Sequence, residues 1–450
     1  MAAKSFLSDM LQRIANAGPF LSSKAAMTPD HLIPLCKELV GDKGEASGLK
    51  NALKILEIYE AASEEERHSF FVKVAEEFGV DHDALAKAVS QWEPGDHAAA
   101  RELYFAAEPK SQELIRRLNR VPGSTARLVN MRADLLSYVK AEPELKSLDH
   151  DFQHLFSAWF NRGFLEIERI DWSTSAEILE KIIAYEAVHR IHGWDDLRQR
   201  VADPDRRLFA FFHPAMPTDP LIFVEVALTR EIPKSIASIL EQEREHIEPG
   251  AANAAIFYSI SNCQVGLRGI SFGNFLIKQV VAELQKEFPA LHTFVTLSPV
   301  PGFRRWVKSA IENEDPLLKP EERAVLEQLG DDELPADDFV QRLAARYLVN
   351  ARSKKGTAYD PVANFHLGNG ALLHKVHANA DHSERGRSIS WGVMVNYLYD
   401  ENKIEEHHQA YATDGTVAAS SEVKSLANAK VKLAPVAAAK AATPPKAETA

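Results

Sequence analysis

Cysteine is nearly missing. Only Cys36 and Cys263 occur in 450 residues, far apart in sequence, which excludes a disulfide framework and a Cys-based zinc site. Long apolar runs are missing too. The most apolar stretch, Pro220 to Leu228, carries Glu225 in its middle, and nothing approaches the ~18 uninterrupted apolar residues of a membrane span. An excess of positive charge is also absent: 52 Lys and Arg face 64 Asp and Glu, a formal net charge of −12. An anionic surface repels phosphate and argues against bulk nucleic-acid binding, although a phosphorylated small ligand needs only a local positive site. What is present, 45% hydrophobic and 26% charged residues, excludes collagen-like, coiled-coil and wholly disordered classes. At about 150 residues per domain the length allows two or three domains. A soluble intracellular enzyme or an interaction protein remains.

Met1 to Gly18 alternates apolar and polar residues at helical spacing. It lacks the unbroken apolar stretch of a secretory signal, and Asp9 with sparse Arg does not suit a mitochondrial presequence. The cytoplasm is therefore the expected compartment. From about residue 29 to 160 the pattern is helical throughout. Ser63 and Glu66 make a capping box, followed by a stripe of Phe70, Phe71, Val74 and Phe78. Leu49, Leu53, Leu56 and Tyr59 form a second stripe, and Leu128, Met131, Leu135 and Tyr138 a third. Near Gly163 the pattern changes to strands mixed with helices, which indicates an α/β or α+β unit. Strands are expected at Phe164 to Trp172, Leu208 to Phe212, Leu221 to Leu228, Ala254 to Ile260, Thr293 to Leu297, Ala371 to His377 and Ile389 to Leu398. Helices are expected from Ser173 to His189, from Gly273 to Phe288 and across 303 to 350. Beyond about Ala418 the chain turns Ala/Lys/Pro-rich without aromatics and is expected to be disordered.

The most informative stretch is Ala254 to Gly302. A strand runs into Gln264-Val265-Gly266-Leu267-Arg268-Gly269, and a helix opens near Gly273. Glycines let backbone N–H groups approach a ligand, and a helix N-terminus favours an anion such as a pyrophosphate. Arg268 adds a full positive charge. The loop has neither the Walker A nor the Rossmann spacing, and a glycine turn alone is equally compatible with a purely structural role. Strand, glycine turn, long helix and strand in this order resembles the coenzyme A site of the GNAT superfamily. There the loop usually reads Gln/Arg-x-x-Gly-x-Gly/Ala, where this chain has Gln264-x-Gly266-x-x-Gly269.

A narrower resemblance covers most of the chain, from the helical half to about Tyr399. FYSIS, then QVGLRGISFGNFLIKQVVAELQKEFP, then LSPVPGFRRW and DPVANFHLGNGA closely resemble the malonyl-CoA decarboxylase family in content and order. The resemblance implies a multi-domain fold, an all-α N-terminal helical bundle plus an α/β GNAT-like (acyl-CoA N-acyltransferase) C-terminal catalytic domain. The expected division is 1–162, 163–417 and a tail at 418–450. It implies a carboxy-lyase converting malonyl-CoA to acetyl-CoA and CO₂. The family's catalytic serine falls on Ser298 and its catalytic histidine on His366. The substrate and coenzyme A contacts fall on Ser259, Gln264, Gly266, Leu267, Arg268, Gly269, Gly273 and Tyr399. Ser271 stands where better-known members have Glu, which leaves any acid role of that Glu without a carboxylate here.

Such a reaction leaves a carbanion whose sink is the thioester carbonyl, so no metal, biotin or pyridoxal is demanded. By this reading Ser298 hydrogen-bonds the carboxylate or thioester, and His366 protonates the enolate carbon with a pKa ordinarily near neutrality. Backbone N–H groups at the end of the Ala254 to Ser261 strand are candidate enolate donors. Without the family context, Ser298 before Pro299 reads as a turn and His366 as a structural histidine in a Gly-containing loop. Glu186 and His189 sit three apart on an expected helix, yet no second pair accompanies them, and no metal is expected. Two other functions compete: a GNAT acyltransferase with an amine acceptor, and a silent acyl-CoA-binding scaffold. Ser298 lacks the Gly-x-Ser-x-Gly elbow of a serine hydrolase. The helical half carries no chemistry and is expected to drive homo-oligomerisation, and Cys263 beside the loop is a candidate for alkylation that blocks substrate entry.

Overall fold

A computed structural model describes residues 29–429, apart from 42–43, 242, 271, 273–275 and 331–332. The readings at Met1 to Gly18, Ser271 and Gly273 lie outside the described residues. Eight helices come first: α1 (Leu32–Gly41), α2 (Glu45–Ala61), α3 (Glu64–Glu77), α4 (His82–Gln91), α5 (His97–Ala106), α6 (Lys110–Leu118), α7 (Ser124–Tyr138) and α8 (Lys146–Trp159). Apolar stripes at helical spacing drive them together. Leu56, Tyr59, Phe70, Phe71, Val74, Leu128 and Leu135 are all buried. The capping box forms, with Ser63 Oγ accepting the Glu66 N–H at 3.3 Å and the Glu66 carboxylate accepting the Ser63 N–H at 2.7 Å. α5 differs, since it buries no residue.

From Glu166 onward eight strands make one sheet, in the order β1-β2-β3-β4-β5-β8-β6 with β7 on β8. They are β1 (Glu166–Ile170), β2 (Arg206–Phe212), β3 (Ile222–Thr229), β4 (Ala254–Asn262), β5 (Thr293–Thr296), β6 (Ser298–Pro299), β7 (Leu372–His377) and β8 (Met394–Leu398). Besides a single turn at Ala237–Leu240, the helices of this half are α9 (Ala176–Tyr185), α10 (Trp194–Ala202), α11 (Leu276–Glu287), α12 (Phe303–Glu312), α13 (Pro320–Gln328), α14 (Asp337–Asn350), α15 (Pro361–Gly368), α16 (Glu384–Ser390), α17 (Ile404–Asp414) and α18 (Ser421–Asn428). β1 to β4 form an antiparallel meander, whereas β4 and β5 run parallel, joined through α11. This is a mixed α/β arrangement, a largely antiparallel sheet with one parallel pair.

Two irregularities make the site. Glu225 pairs with Ser259 but Val226 with Phe257, so Tyr258 is an extra residue that bulges β4. The parallel pairing ends at Phe257 and Thr296. One more bond follows, from the Leu297 N–H to the Phe257 carbonyl at 3.0 Å. The chain then swings away to pair Ser298 with Val395 on β8. Among the described residues, β4 from Ser259 to Asn262 has no strand on that side, and a wedge opens between β4 and β6. One large apolar core runs from α1–α3 and α6–α8 through α11 and one face of the sheet. Smaller clusters cover the other face, one containing Ile182, Leu197 and Phe212, the other Ile256, Val295 and Met394.

Three boundaries differ from expectation. Residues 418–429 are ordered: Ser420 Oγ caps α18 by accepting the Val423 N–H, and Val423 and Ala427 are buried. An Ala-rich average hid that short stripe at spacing i, i+4. The late strand spans only Met394–Leu398, because Ser383 caps α16 and Trp391, with φ +51°, turns the chain. α9 stops at Tyr185, leaving Glu186 to His189 as a turn.

Candidate active site

Thr296, Ser298, Tyr397 and Tyr399 come from the adjacent strands β5, β6 and β8 and the residue after β8, and α15 lays His366 against them. His366 lies on a helix and not in a loop. Asp360 accepts the Val362 and Ala363 N–H groups, and Pro361 occupies the first turn. His366 Nε2 lies 3.1 Å from Ser298 Oγ, and Nδ1 lies 2.7 Å from the Tyr399 hydroxyl. Ser298 Oγ donates to Thr296 Oγ1 at 2.9 Å. With that donor spent, the consistent tautomer has Nε2–H donating to Ser298 and the Tyr399 O–H donating to Nδ1. The imidazole also stacks on Tyr397, ring centres 4.5 Å apart.

His366, Ser298 and Tyr399 are 3%, 6% and 4% exposed. Burial pulls the His366 pKa down to about 3 and pushes Tyr399 well above its ordinary value. The chain Tyr399–His366–Ser298 is therefore uncharged in the free protein, and no carboxylate hydrogen-bonds the imidazole.

Asp360 ties the two halves of this cluster together. Its Oδ2 accepts the Gly302 N–H at 2.8 Å and the Tyr347 O–H at 3.3 Å, so the turn after Ser298 and the start of the His366 helix share one buried carboxylate. The Asp-Pro pair at 360–361 is the local helix-start signal that places His366 on a helix.

The glycine loop after Gln264 lies at the far end of β4. Gln264 Nε2 donates to the Pro220 carbonyl at 2.9 Å, and Leu267 is buried. Arg268 is exposed, and Gly269 has φ +83°, where a side chain is strained. With Asn262 and Phe272 these residues line a cavity of about 360 Å³. Gly266 has a different reason from the expected one. A Cβ there would sit 1.8 Å from the Val129 carbonyl oxygen on α7, so the missing side chain lets the helical half pack against the loop. Arg132, fully buried on α7, donates to the Gly266 carbonyl at 2.6 Å and pairs with Asp149 at 2.8 Å. No sequence signal marked Arg132.

Ser259 is not brought into the Ser298 cluster. Beyond the bulge its hydroxyl donates instead to the Glu186 carboxylate at 2.8 and 2.9 Å. Cys263 is buried and its thiol is pushed up in pKa by that burial, which opposes alkylation at this position. Among the described residues, Asp203, Asp205 and His246 bring possible metal-ligand atoms together. Arg244 already spans both carboxylates, at 2.7 and 2.6 Å.

Residues 163–437 match the model of the malonyl-CoA decarboxylase C-terminal domain, and residues 78–160 that of the malonyl-CoA decarboxylase N-terminal domain. The chain belongs to the malonyl-CoA decarboxylase family. It is 35% identical over 406 residues to mitochondrial malonyl-CoA decarboxylase of Rattus norvegicus, covering 80% of this chain and 82% of that protein. The crystal structure of malonyl-CoA decarboxylase from Rhodopseudomonas palustris superposes with a TM-score of 0.84 at 50% identity, over 88% of this chain and 99% of that one. That from Agrobacterium vitis gives 0.83 at 49% identity, over 88% and 100%. Membership in the malonyl-CoA decarboxylase family accounts for the order of the four motifs along β4, the loop, β6 and α15. Among the described residues no helix is long and apolar enough to cross a membrane.

Proposed function

We propose that the chain decarboxylates malonyl-CoA to acetyl-CoA and CO₂ in the wedge between β4 and β6, as a carboxy-lyase without a cofactor. The observation that carries this reading is the buried, uncharged chain Tyr399–His366–Ser298 at the edge of that wedge. Coenzyme A enters past Gln264, Gly266, Leu267, Arg268, Gly269 and Gly273, with Arg268 meeting a phosphate. Breaking the bond to the carboxylate leaves its electron pair on the α-carbon, and the thioester carbonyl takes it up as an enolate. Backbone N–H groups along the unpaired end of β4 stabilise the enolate oxygen. Ser298 turns its hydroxyl from Thr296 Oγ1, where it rests in the free protein, to the acyl group and holds it for bond breaking. The substrate's negative charge raises the proton affinity of His366, which then delivers one proton, taken from water overall, to the enolate carbon.

The same reading includes a division of labour near residue 163 and self-association through the helical half. Val89, Trp92, Tyr104 and Phe105 on and around α4 and α5 are 44% to 67% exposed, an apolar face suited to a second copy of the chain. Sedimentation of the unmodified chain should give a species larger than a monomer. The cytoplasm is the proposed compartment, and fractionation separates it from the mitochondrial location stated for the rat relative. Malonyl-CoA labelled at its free carboxylate tests the activity. Labelled CO₂ with equimolar acetyl-CoA supports it, and acyl transfer to an amine without CO₂ overturns it in favour of an acyltransferase.

A further inference from the structure

The turn from Glu186 to His189 closes the wedge on the face opposite Ser298. Phe257 and Ile260 of β4 pack into the large core, whereas Ser259 and Ser261, shifted by the bulge, face Glu186. One Glu186 oxygen accepts the Ser259 hydroxyl at 2.9 Å and the Val188 and His189 N–H groups at 2.8 and 2.7 Å. The other accepts Ser259 at 2.8 Å and Ser261 at 3.1 Å. Ser261 Oγ in turn accepts the Ala187 N–H at 3.2 Å. The turn is itself held from outside. Arg200 donates to the His189 carbonyl at 2.9 Å and pairs with buried Glu225 at 3.1 Å, directly across from Ser259 on β3, and Arg385 bonds the Ala187 carbonyl.

Charge decides what this arrangement does. Hydrogen bonds to an ionised carboxylate are shorter and stronger than neutral ones, and a two-oxygen grip fixes direction as well as distance. Ser259 has one proton to donate, and Glu186 holds it, so the serine hydroxyl is not free to donate to a substrate. Its contribution is to anchor β4 at the point where the strand loses β5 and its backbone becomes available. We infer that Glu186 is a positioning residue for the reaction: through Ser259 and Ser261 its carboxylate sets the unpaired end of β4 in the conformation that receives the acyl-CoA thioester. The inference rests on the decarboxylase reading and names a residue outside the four motifs.

A double-mutant cycle on Glu186→Ala and Ser259→Ala, with Glu186→Gln beside it, is the test. Glu186→Gln keeps the side-chain size and one acceptor oxygen, so it reads the effect even where the alanine variant does not fold. Misplacing a binding group by about 1 Å costs up to roughly 10²-fold, so kcat/KM per folded molecule should fall about tenfold in Glu186→Gln and about a hundredfold in Glu186→Ala. The Glu186→Ala, Ser259→Ala pair should be no worse than Glu186→Ala alone, since both cut one link. A purely structural role would lower the melting temperature and leave kcat/KM of the folded fraction unchanged. That result, or single losses that multiply in the pair, would overturn the inference. The cycle is read a second time on acetyl-CoA affinity by calorimetry, with the same non-additivity expected. Absence of CO₂ release by the unmodified chain would count against the decarboxylase reading alone, and the affinity cycle would then decide the role of Glu186.

Discussion

The two walls of the wedge are built from opposite chemistry. On one side, Ser298, His366 and Tyr399 form a buried chain of hydroxyls around an imidazole with no charge. On the other, Ser259 and Ser261 are gripped by a half-buried carboxylate, Glu186, which also accepts two backbone N–H groups. In the first wall the histidine has no acid to stabilise its charged form, so an anionic substrate is what brings that charge. In the second the charge is already matched by donors. One wall is completed by the ligand, and the other is complete before the ligand arrives.

The comparison breaks if the two walls respond alike to substitution. The largest effect is expected at the uncharged wall: a positioned proton donor contributes roughly 10²–10⁴-fold, so His366→Asn and Ser298→Ala should lower kcat by that order. Steady-state CO₂ release should show KM changing far less, and near-normal turnover in both folded variants would remove the proposed roles. Next comes the link between the halves. Removing one partner of a buried ion pair costs about 3–5 kcal/mol. Arg132→Met strands Asp149 and the Gly266 carbonyl, so urea unfolding should report a loss of that size, with KM for malonyl-CoA raised and kcat of the folded fraction little changed.

The pH dependence of stability is a smaller effect with a definite sign. Burial lowers His366 to about 3 in the folded chain, below the ~6.5 of an unfolded histidine. The unfolded state therefore binds more protons between these values. Stability is fully present above pH ~6.5 and falls by up to about 1.4 kcal/mol per pH unit as acid is added through that window. His366→Asn should flatten the decline in melting temperature over the same range, and an unchanged slope would show that His366 is not the buried neutral group described. The smallest effect is at Cys263. Iodoacetamide should leave activity nearly intact at neutral pH, because the thiol is buried and protonated; rapid inactivation with label on Cys263 would contradict this.

How far the sequence could be read depends on the range of the interactions. Helical stripes, alternating strands and the Ser63 cap are local, and they were legible. So was the strand, loop and helix around Gln264, together with Ser298, His366 and Tyr399 through the family motifs. The protonation state of His366 was not legible, because it comes from burial among Ser298, Tyr397 and Tyr399, residues distant in sequence. The reason for Gly266 was hidden in the same way, since Val129 and Arg132 approach it from more than a hundred residues earlier. Glu186 was misread because helical spacing continued past Tyr185, while its side chain turned back to cap the 188–189 amides and to meet Ser259.

The central claim is that His366 is neutral in the free protein and gains its proton when an anionic acyl-CoA is bound. A nitrogen-15 NMR titration of the His366 ring, in the free chain and with a non-decarboxylating thioether analogue of malonyl-CoA, measures this directly. The free ring should stay neutral down to about pH 4, from a folded pKa of about 3, and titrate at distinctly higher pH in the complex. A free-protein pKa near the ordinary ~6.5, or one that does not rise with the analogue bound, would contradict it.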